Sequence, residues 1–325
     1  MEFAEAAAQE PPFLNLQVLK RRQIAQGIVL FALGHHAGES LPEFTAGAHI
    51  TVITPAGMRR NYSLCGNPFD ASHWQIAVKR EGFGRGGSIS LADQVQEGDS
   101  LLVSAPHNLF ALSAKARRQI LIAGGIGITP IYSMVQQLQS EGAAFTLHYC
   151  TRDPAGTAFF DELQRADLAG KVHIHHDGGD PARAFDFWPV FERPQAQTHI
   201  YCCGPASLMD SVRDMTGHWQ PGSVHFESFG PSPTQFAVNR DFSVRLNKTG
   251  AKIQVTAGQS LLEALRARGV RVPSSCESGT CGSCKTRLLA GQADHRDLVL
   301  GEEERAGHIM VCVSRAMDEE LVLDL

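Results

Sequence analysis

Four cysteines near the C-terminus carry the most specific chemistry in the chain. Within VPSSCESGTCGSCKT, Cys276, Cys281 and Cys284 follow a C-x4-C-x2-C spacing, and Cys312 lies 28 positions beyond Cys284. This is the ligand spacing of a plant-type [2Fe–2S] cluster held by four thiolates. Only Glu, Ser, Gly and Thr separate the first two cysteines. Small residues let the backbone wrap inorganic sulfide and aim N–H groups at it, as an anionic cluster requires. The alternative is structural zinc, which also uses C-x2-C. Four-cysteine zinc sites usually pair two short knuckles, whereas here a three-residue set is completed from a distance. The iron–sulfur reading is therefore favoured.

Such a cluster accepts electrons singly, so the remaining residues must supply or withdraw them. Arg59-Arg60-Asn61-Tyr62-Ser63-Leu64 places an arginine, an aromatic ring and a hydroxyl on one β-prone run. Side chains 60, 62 and 64 share a face, and Ser63 uses its backbone or faces the other way. Together they can hold a phosphate, pack a flat ring and hydrogen-bond a ring nitrogen. An ordinary edge strand with surface arginines has the same residues. Downstream, Gly84-Arg85-Gly86-Gly87-Ser88 leads into a helical start and presents N–H groups to an anion. Two phosphate-type features flanking an aromatic point to a mononucleotide cofactor.

A second nucleotide signal lies at Gly124-Gly125-Ile126-Gly127-Ile128-Thr129-Pro130, between an apolar strand and a helix-periodic run. The strand–turn–helix order offers peptide N–H groups and a positive helix end to a pyrophosphate. The third glycine of the common dinucleotide fingerprint is missing, so this is a variant arrangement. Cys203-Gly204-Pro205 repeats the strand-end, glycine, helix-start order. Histidines 173, 175 and 176 read as strand residues, because no third metal ligand accompanies the pair that shares a face.

At 325 residues and 35.3 kDa the chain suits two or three domains. Its 43% hydrophobic and 19% charged content is that of a soluble globular protein, and a net charge of −5 gives no reason to expect nucleic-acid binding. No apolar run has membrane-spanning length, and the N-terminus lacks a signal-peptide core. The remaining cysteines (65, 150, 202 and 203) are scattered or vicinal, so a reducing cytoplasm is expected and a disulfide framework is not. The expected organisation is multidomain. Residues 1–110 form an antiparallel β-barrel, 111–228 an α/β parallel-sheet domain, 229–238 a proline-stiffened linker, and 239–325 an α+β ferredoxin-like (β-grasp) domain. That last segment balances twelve basic against twelve acidic side chains, so long-range steering to a basic partner is modest.

RNYSLC, AVKR, GRGGSIS, AGGIGITP, TRDPAGTAFFDEL, YCCGPASLMD, HFESFG and VPSSCESGTCGSC, taken in this order, resemble the phthalate dioxygenase reductase family along essentially the whole chain. The resemblance implies FMN as flavin, NADH as donor, and a Rieske-type aromatic-ring oxygenase as acceptor, with no membrane and a monomeric state. It implies that Arg60, Asn61, Tyr62 and Ser63 meet the flavin and its phosphate, and that Ala77, Val78 and Lys79 line the ribityl chain. Arg85, Gly86, Gly87 and Ser88 would bind the phosphate. Gly125, Gly127 and Thr129 would lie near the flavin–nicotinamide junction, with Cys203 and Gly204 near nicotinamide. Phe229 resembles the aromatic that covers the flavin ring. Of these, Thr129, Cys203 and Phe229 would stand at the reacting centre, and Cys276, Cys281, Cys284 and Cys312 would hold the metal. NADH donates two electrons as hydride and the cluster accepts one, so a flavin able to do both belongs between them. Arg152 could pair with a 2′-phosphate, but Asp177 would repel it, and NADH is expected over NADPH. A reductase serving another oxygenase, or a non-enzymatic redox sensor, are the alternatives. The sensor is disfavoured because no effector segment remains after the three domains.

Overall fold

The computed structural model describes residues 13–82, 86–229, 239–274, 277, 279, 282–297 and 299–325. The chain divides into two units, Met1–Gly204 with Ser211–Phe226, and Pro205–Asp210 with Glu227–Leu325.

Alternating apolar residues build the first part of the first unit. Strands β1 (Leu14–Ala25) and β2 (Ile28–Gly34) form a hairpin, in which Leu16 and Val18 face inward between more exposed neighbours. With β3 (Ala48–Ile53), β4 (Arg59–Ser63), β5 (Trp74–Lys79), helix α1 (Gly87–Gln94), β6 (Ser100–Val103) and β7 (His107–Asn108), they make an antiparallel sheet. Its order is β4-β3-β6-β1-β2-β5, with β7 beside β3. A bridge from Leu64 to Ile76 joins the two ends of that order and closes the barrel. The seam rests on this bridge and on the adjoining bond from the Cys65 N–H to the Gln75 carbonyl. Phe31, Ile50, Leu64, Trp74, Val78 and Leu91 fill its interior.

The parallel sheet follows in the same unit. Strands β8 (Arg118–Gly124), β9 (Ala144–Thr151), β10 (Val172–His176), β11 (Thr198–Cys203) and β12 (Val224–Glu227) take the order β10-β9-β8-β11-β12. Helices α2 (Ile128–Ser140), α3 (Phe160–Leu163), α4 (Trp188–Phe191) and α5 (Ala206–Met215) lie between them in sequence. The strand order reverses between β8 and β11, which pair in parallel. Open α/β sheets bind ligands at the carboxyl ends beside such a reversal. The glycine turn after β8 and Cys203-Gly204 after β11 both lie there. Gly127 is required for this approach, because a Cβ at that position would stand 2.3 Å from the Cys203 carbonyl oxygen.

The sheet also contains a column of rings. His148 on β9 stacks against His173 and His175 on β10, and its Nδ1 lies 3.1 Å from His175 Nε2. Phe185 stacks on His175 in turn. Among the described residues no three His, Cys, Asp or Glu side chains gather as a metal site. His148 is buried, and burial, reinforced by His175 and His173, pushes its pKa down to about 4.

In the second unit, strands β13 (Phe242–Leu246), β14 (Lys252–Val255), β15 (Lys285–Ala290), β17 (His308–Met310) and β19 (Glu320–Leu323) form a sheet of order β14-β13-β19-β15-β17. Beside it lies the small pair β16 (Ala293–Asp294) and β18 (Arg315–Ala316). Helix α6 (Leu261–Ala267) starts at a Ser260–Glu263 capping box and buries Leu261, Leu262 and Leu265. A single turn, α7 (Glu302–Arg305), precedes β17. This is the ferredoxin-like arrangement. Among the described residues no helix is long and apolar enough to cross a membrane.

Two outcomes follow. Gly127→Ala should force backbone apart and lower stability by about 1–3 kcal/mol in a denaturant melt, the range for overpacking. His148 has a folded pKa below its unfolded value, so the unfolded chain binds the extra proton first. The unfolding midpoint should therefore fall as pH drops through 6.5 towards about 4. A flat midpoint across that window would contradict the assignment.

Candidate functional site

Strand β4 sorts its side chains between two surroundings. Leu64 joins the barrel core with Tyr62 packed against it, whereas Cys65 joins the core shared with α2. Ser63 lies on the same alternating face as Cys65. Its Oγ is buried, with the residue 4% exposed, and has no hydrogen-bond partner among the described residues. A buried hydroxyl without a partner costs free energy unless a ligand satisfies it. Burial pushes the Tyr62 hydroxyl up to about 12, with Arg60 pulling the other way, so it remains a neutral donor. Asn61 is tied to the barrel, since its Oδ1 accepts from Thr51 Oγ1 at 2.8 Å.

Arg60 runs alongside the start of α1. A Cβ on Gly87 would meet Arg60 Nε at 3.0 Å, so glycine leaves the space that the guanidinium occupies. Gly86 caps the helix with φ +91 and no side-chain cap bond. The first-turn N–H groups of α1 and the Arg60 guanidinium thus form a cradle of the kind that accepts a phosphate. Ser88 Oγ accepts from the Glu81 N–H at 3.2 Å and closes the loop beneath it. Arg85 lies outside the described residues. On β5, Ala77 faces the core shared with α2, and Val78 points into the barrel, so only its backbone is available to a ligand. Lys79 is exposed and ion-paired with Glu81 at 2.6 Å.

Strand β5 also contacts the turn Gly125–Gly127, which brings the barrel wall to the nucleotide-type turn. The turn is held from below by a residue that the sequence patterns do not single out. Tyr149, fully buried on β9, donates its hydroxyl to the Gly125 carbonyl at 3.1 Å. An aromatic inside a strand of mixed polarity gives little signal of this kind. Thr129 is buried and donates to Ile126 O at 3.1 Å, which stiffens the start of α2. Cys203 is buried, and its carbonyl packs against Gly127 next to Gly204. Arg152 and Asp177 follow β9 and β10. Asp177 Oδ1 accepts from the Gly179 N–H at 2.7 Å, fixing a carboxylate at the sheet's carboxyl edge.

Three thiols near these elements are held protonated. Burial raises Cys65, and it pushes Cys150 and Cys202 up to about 12, helped in Cys150 by Asp177 and in Cys202 by Cys150.

The second unit contains Phe229, which is 42% exposed. It also contains Cys284 and Cys312, which are buried in its apolar core with Leu262, Leu300 and Val311. Cys276 and Cys281 lie outside the described residues, as do residues 230–238 of the expected linker. Around the loop, Arg266 pairs with Glu277 at 2.7 Å and with Ser274. Asp297 has a fully buried side chain that accepts from the N–H groups of Val299 and Leu300 at 3.1 and 2.7 Å. Its Cα lies where a Cβ on Gly279 would come within 3.2 Å. Asp297 thus braces the loop from outside, a role that its position in ADHRDLVL does not announce. Two buried thiols beside a loop with left-handed residues at 277, 279 and 282 suit thiolate ligands to a cluster.

Residues 244–317 match the family model for a 2Fe-2S iron-sulfur cluster binding domain, and 121–214 match that for an oxidoreductase NAD-binding domain. The chain is 55% identical over 318 residues to phthalate dioxygenase reductase of Burkholderia cepacia, covering 98% of this chain and 99% of that one. It is 41% identical over 317 residues to vanillate O-demethylase oxidoreductase of Pseudomonas putida, covering 96% and 100%. A solved phthalate dioxygenase reductase, described as a modular structure for electron transfer from pyridine nucleotides to [2Fe–2S], superposes with a TM-score of 0.85. It shares 55% identity and covers 96% of this chain and 98% of its own. With barrel, nicotinamide-type sheet and cluster-binding unit all matched end to end, the chain is an oxidoreductase belonging to the phthalate dioxygenase reductase family.

Proposed function

We propose that the chain carries electrons from NADH through FMN and a [2Fe–2S] cluster to a Rieske-type terminal oxygenase that acts on phthalate or a closely related aromatic acid. The observation that carries this reading is the near-full-length likeness to a phthalate dioxygenase reductase. A bound flavin would supply the exchange between two-electron hydride chemistry and the one-electron chemistry of the cluster. The chain's part is binding and alignment. Arg60, Arg85 and the first turn of α1 at Gly86, Gly87 and Ser88 hold the phosphate. Tyr62 and Ser63 meet the ring, Asn61 supports them, and Ala77, Val78 and Lys79 flank the ribityl chain. Gly125, Gly127 and Thr129 receive the nucleotide beside Cys203 and Gly204, and Phe229 guards the ring until nicotinamide enters. Cys276, Cys281, Cys284 and Cys312 hold the iron. The fixed Asp177 carboxylate disfavours a 2′-phosphate and supports NADH over NADPH. No acid–base pair is needed for hydride transfer, and a monomer in a reducing cytoplasm completes the proposed reading. A different oxygenase or demethylase as acceptor is the second reading, favoured by the likeness to a vanillate O-demethylase oxidoreductase.

Acid release and mass spectrometry of the purified protein should yield FMN and no FAD, with iron and sulfide from the cluster. FAD, or zinc without iron, would overturn the cofactor assignment. A fragment ending near Val238 should bleach its flavin under NADH yet fail to reduce the oxygenase. Cys281→Ser in the full chain should impair the cluster and spare flavin reduction. Stopped-flow flavin absorbance and coupled product formation separate the two half-reactions; full oxygenase turnover by the fragment would contradict the order.

A further inference from the structure

Helix α2 starts at the glycine turn and lies against the outer wall of the barrel. Ser133 and Gln136 share one of its faces, a turn apart. Ser133 Oγ donates to the Gly66 carbonyl at 3.0 Å, and Gln136 Nε2 donates to the Cys65 carbonyl at 2.9 Å. Ser133 is 0% exposed. Both acceptors directly follow the Arg60–Leu64 run, where the chain bends at Gly66. Cys65 is held from the other side, its N–H bonded to the Gln75 carbonyl at 2.9 Å. Next to Gln136 on α2, Gln137 Oε1 accepts from the Ala46 N–H at 3.3 Å.

We propose that Ser133 and Gln136 are positioning residues for hydride transfer, clamping the nicotinamide-binding turn to the strand that meets the flavin. This rests on the function proposed above. The helix and the barrel wall also share apolar packing, but such contact is non-directional and leaves sliding cheap. Hydrogen bonds to two successive carbonyls allow one register only. Thr129 lies one helical turn before Ser133, and Ser63 three residues before Gly66, so a slip at the clamp is passed on to both partners of the reaction. The reacting atoms must approach to about 3–3.5 Å, and a displacement of about 1 Å can cost roughly a hundredfold in rate.

The test compares Gln136→Met and Ser133→Ala, singly and together, with the parent holoprotein. The parent must first be reduced by NADH; its failure to be so would refute the proposed function, and not the clamp. In the variants, the rate of flavin reduction at saturating NADH should fall about tenfold or more, with KM for NADH held within about twofold. The long-wavelength charge-transfer absorbance of the NAD-bound protein should weaken, whereas reduction by dithionite, which needs no alignment, should be unchanged. Ser133→Cys, which keeps the volume and a weak donor, should restore part of both signals. An unchanged rate and absorbance, whatever happens to the melting temperature, would overturn the proposal. So would a change confined to KM. If the double variant does not fold, the half-buried Gln136→Met decides alone.

Discussion

One apolar surface holds the first unit together. Ile28, Leu30, Cys65 and Ala77 from the barrel belong to the same buried cluster as Ile128, Ile131 and Met134 of α2 and Leu147 and Tyr149 of the sheet. Each large side chain fully buried there contributes about 1.5–3 kcal/mol, so joining barrel and sheet stabilises both. Directional bonds then orient what packing brings together. The Gln26 N–H donates to the Ala155 carbonyl at 2.8 Å, and Arg22 pairs with Glu162 at 2.7 Å. The ion pair is partly exposed and adds little to stability.

The second unit meets a different constraint. A loop that must wrap an anionic cluster cannot also fill a core, so its stiffness has to come from its surroundings. Arg266 supplies it through Glu277 and Ser274, and the segment of Asp297, fixed by its own bonds to the Val299 and Leu300 N–H groups, packs close to Gly279. The capping box at Ser260 fixes the helix that carries Arg266. The buried sulfurs of Cys284 and Cys312 thus sit in apolar surroundings that limit water, one of the factors that sets a cluster's potential.

The periodic and compositional signals were legible from the residues alone. β-prone runs marked the barrel segment, and the cysteine spacing gave the cluster reading. What periodicity hides is contact between distant segments. Nothing in GIVLFALG says that Ile28 and Leu30 turn away from the barrel core to meet α2. His148 reads as one polar residue in AFTLHYCT, yet it is the buried centre of a stacked column. Tyr149 works through a backbone carbonyl of another segment and Asp297 through the N–H groups just after it, and a backbone partner leaves no trace in composition. The motif residues were easier, because chemistry that recurs fixes both residue type and spacing.

The three protonated thiols bear on how the chain withstands its own surroundings. A thiol is nucleophilic as thiolate, so Cys65, Cys150 and Cys202 exchange poorly with disulfides and oxidise slowly. An oxidant that reaches these elements therefore meets neutral thiols, and the first unit carries the three cysteines as small apolar filling and not as redox chemistry.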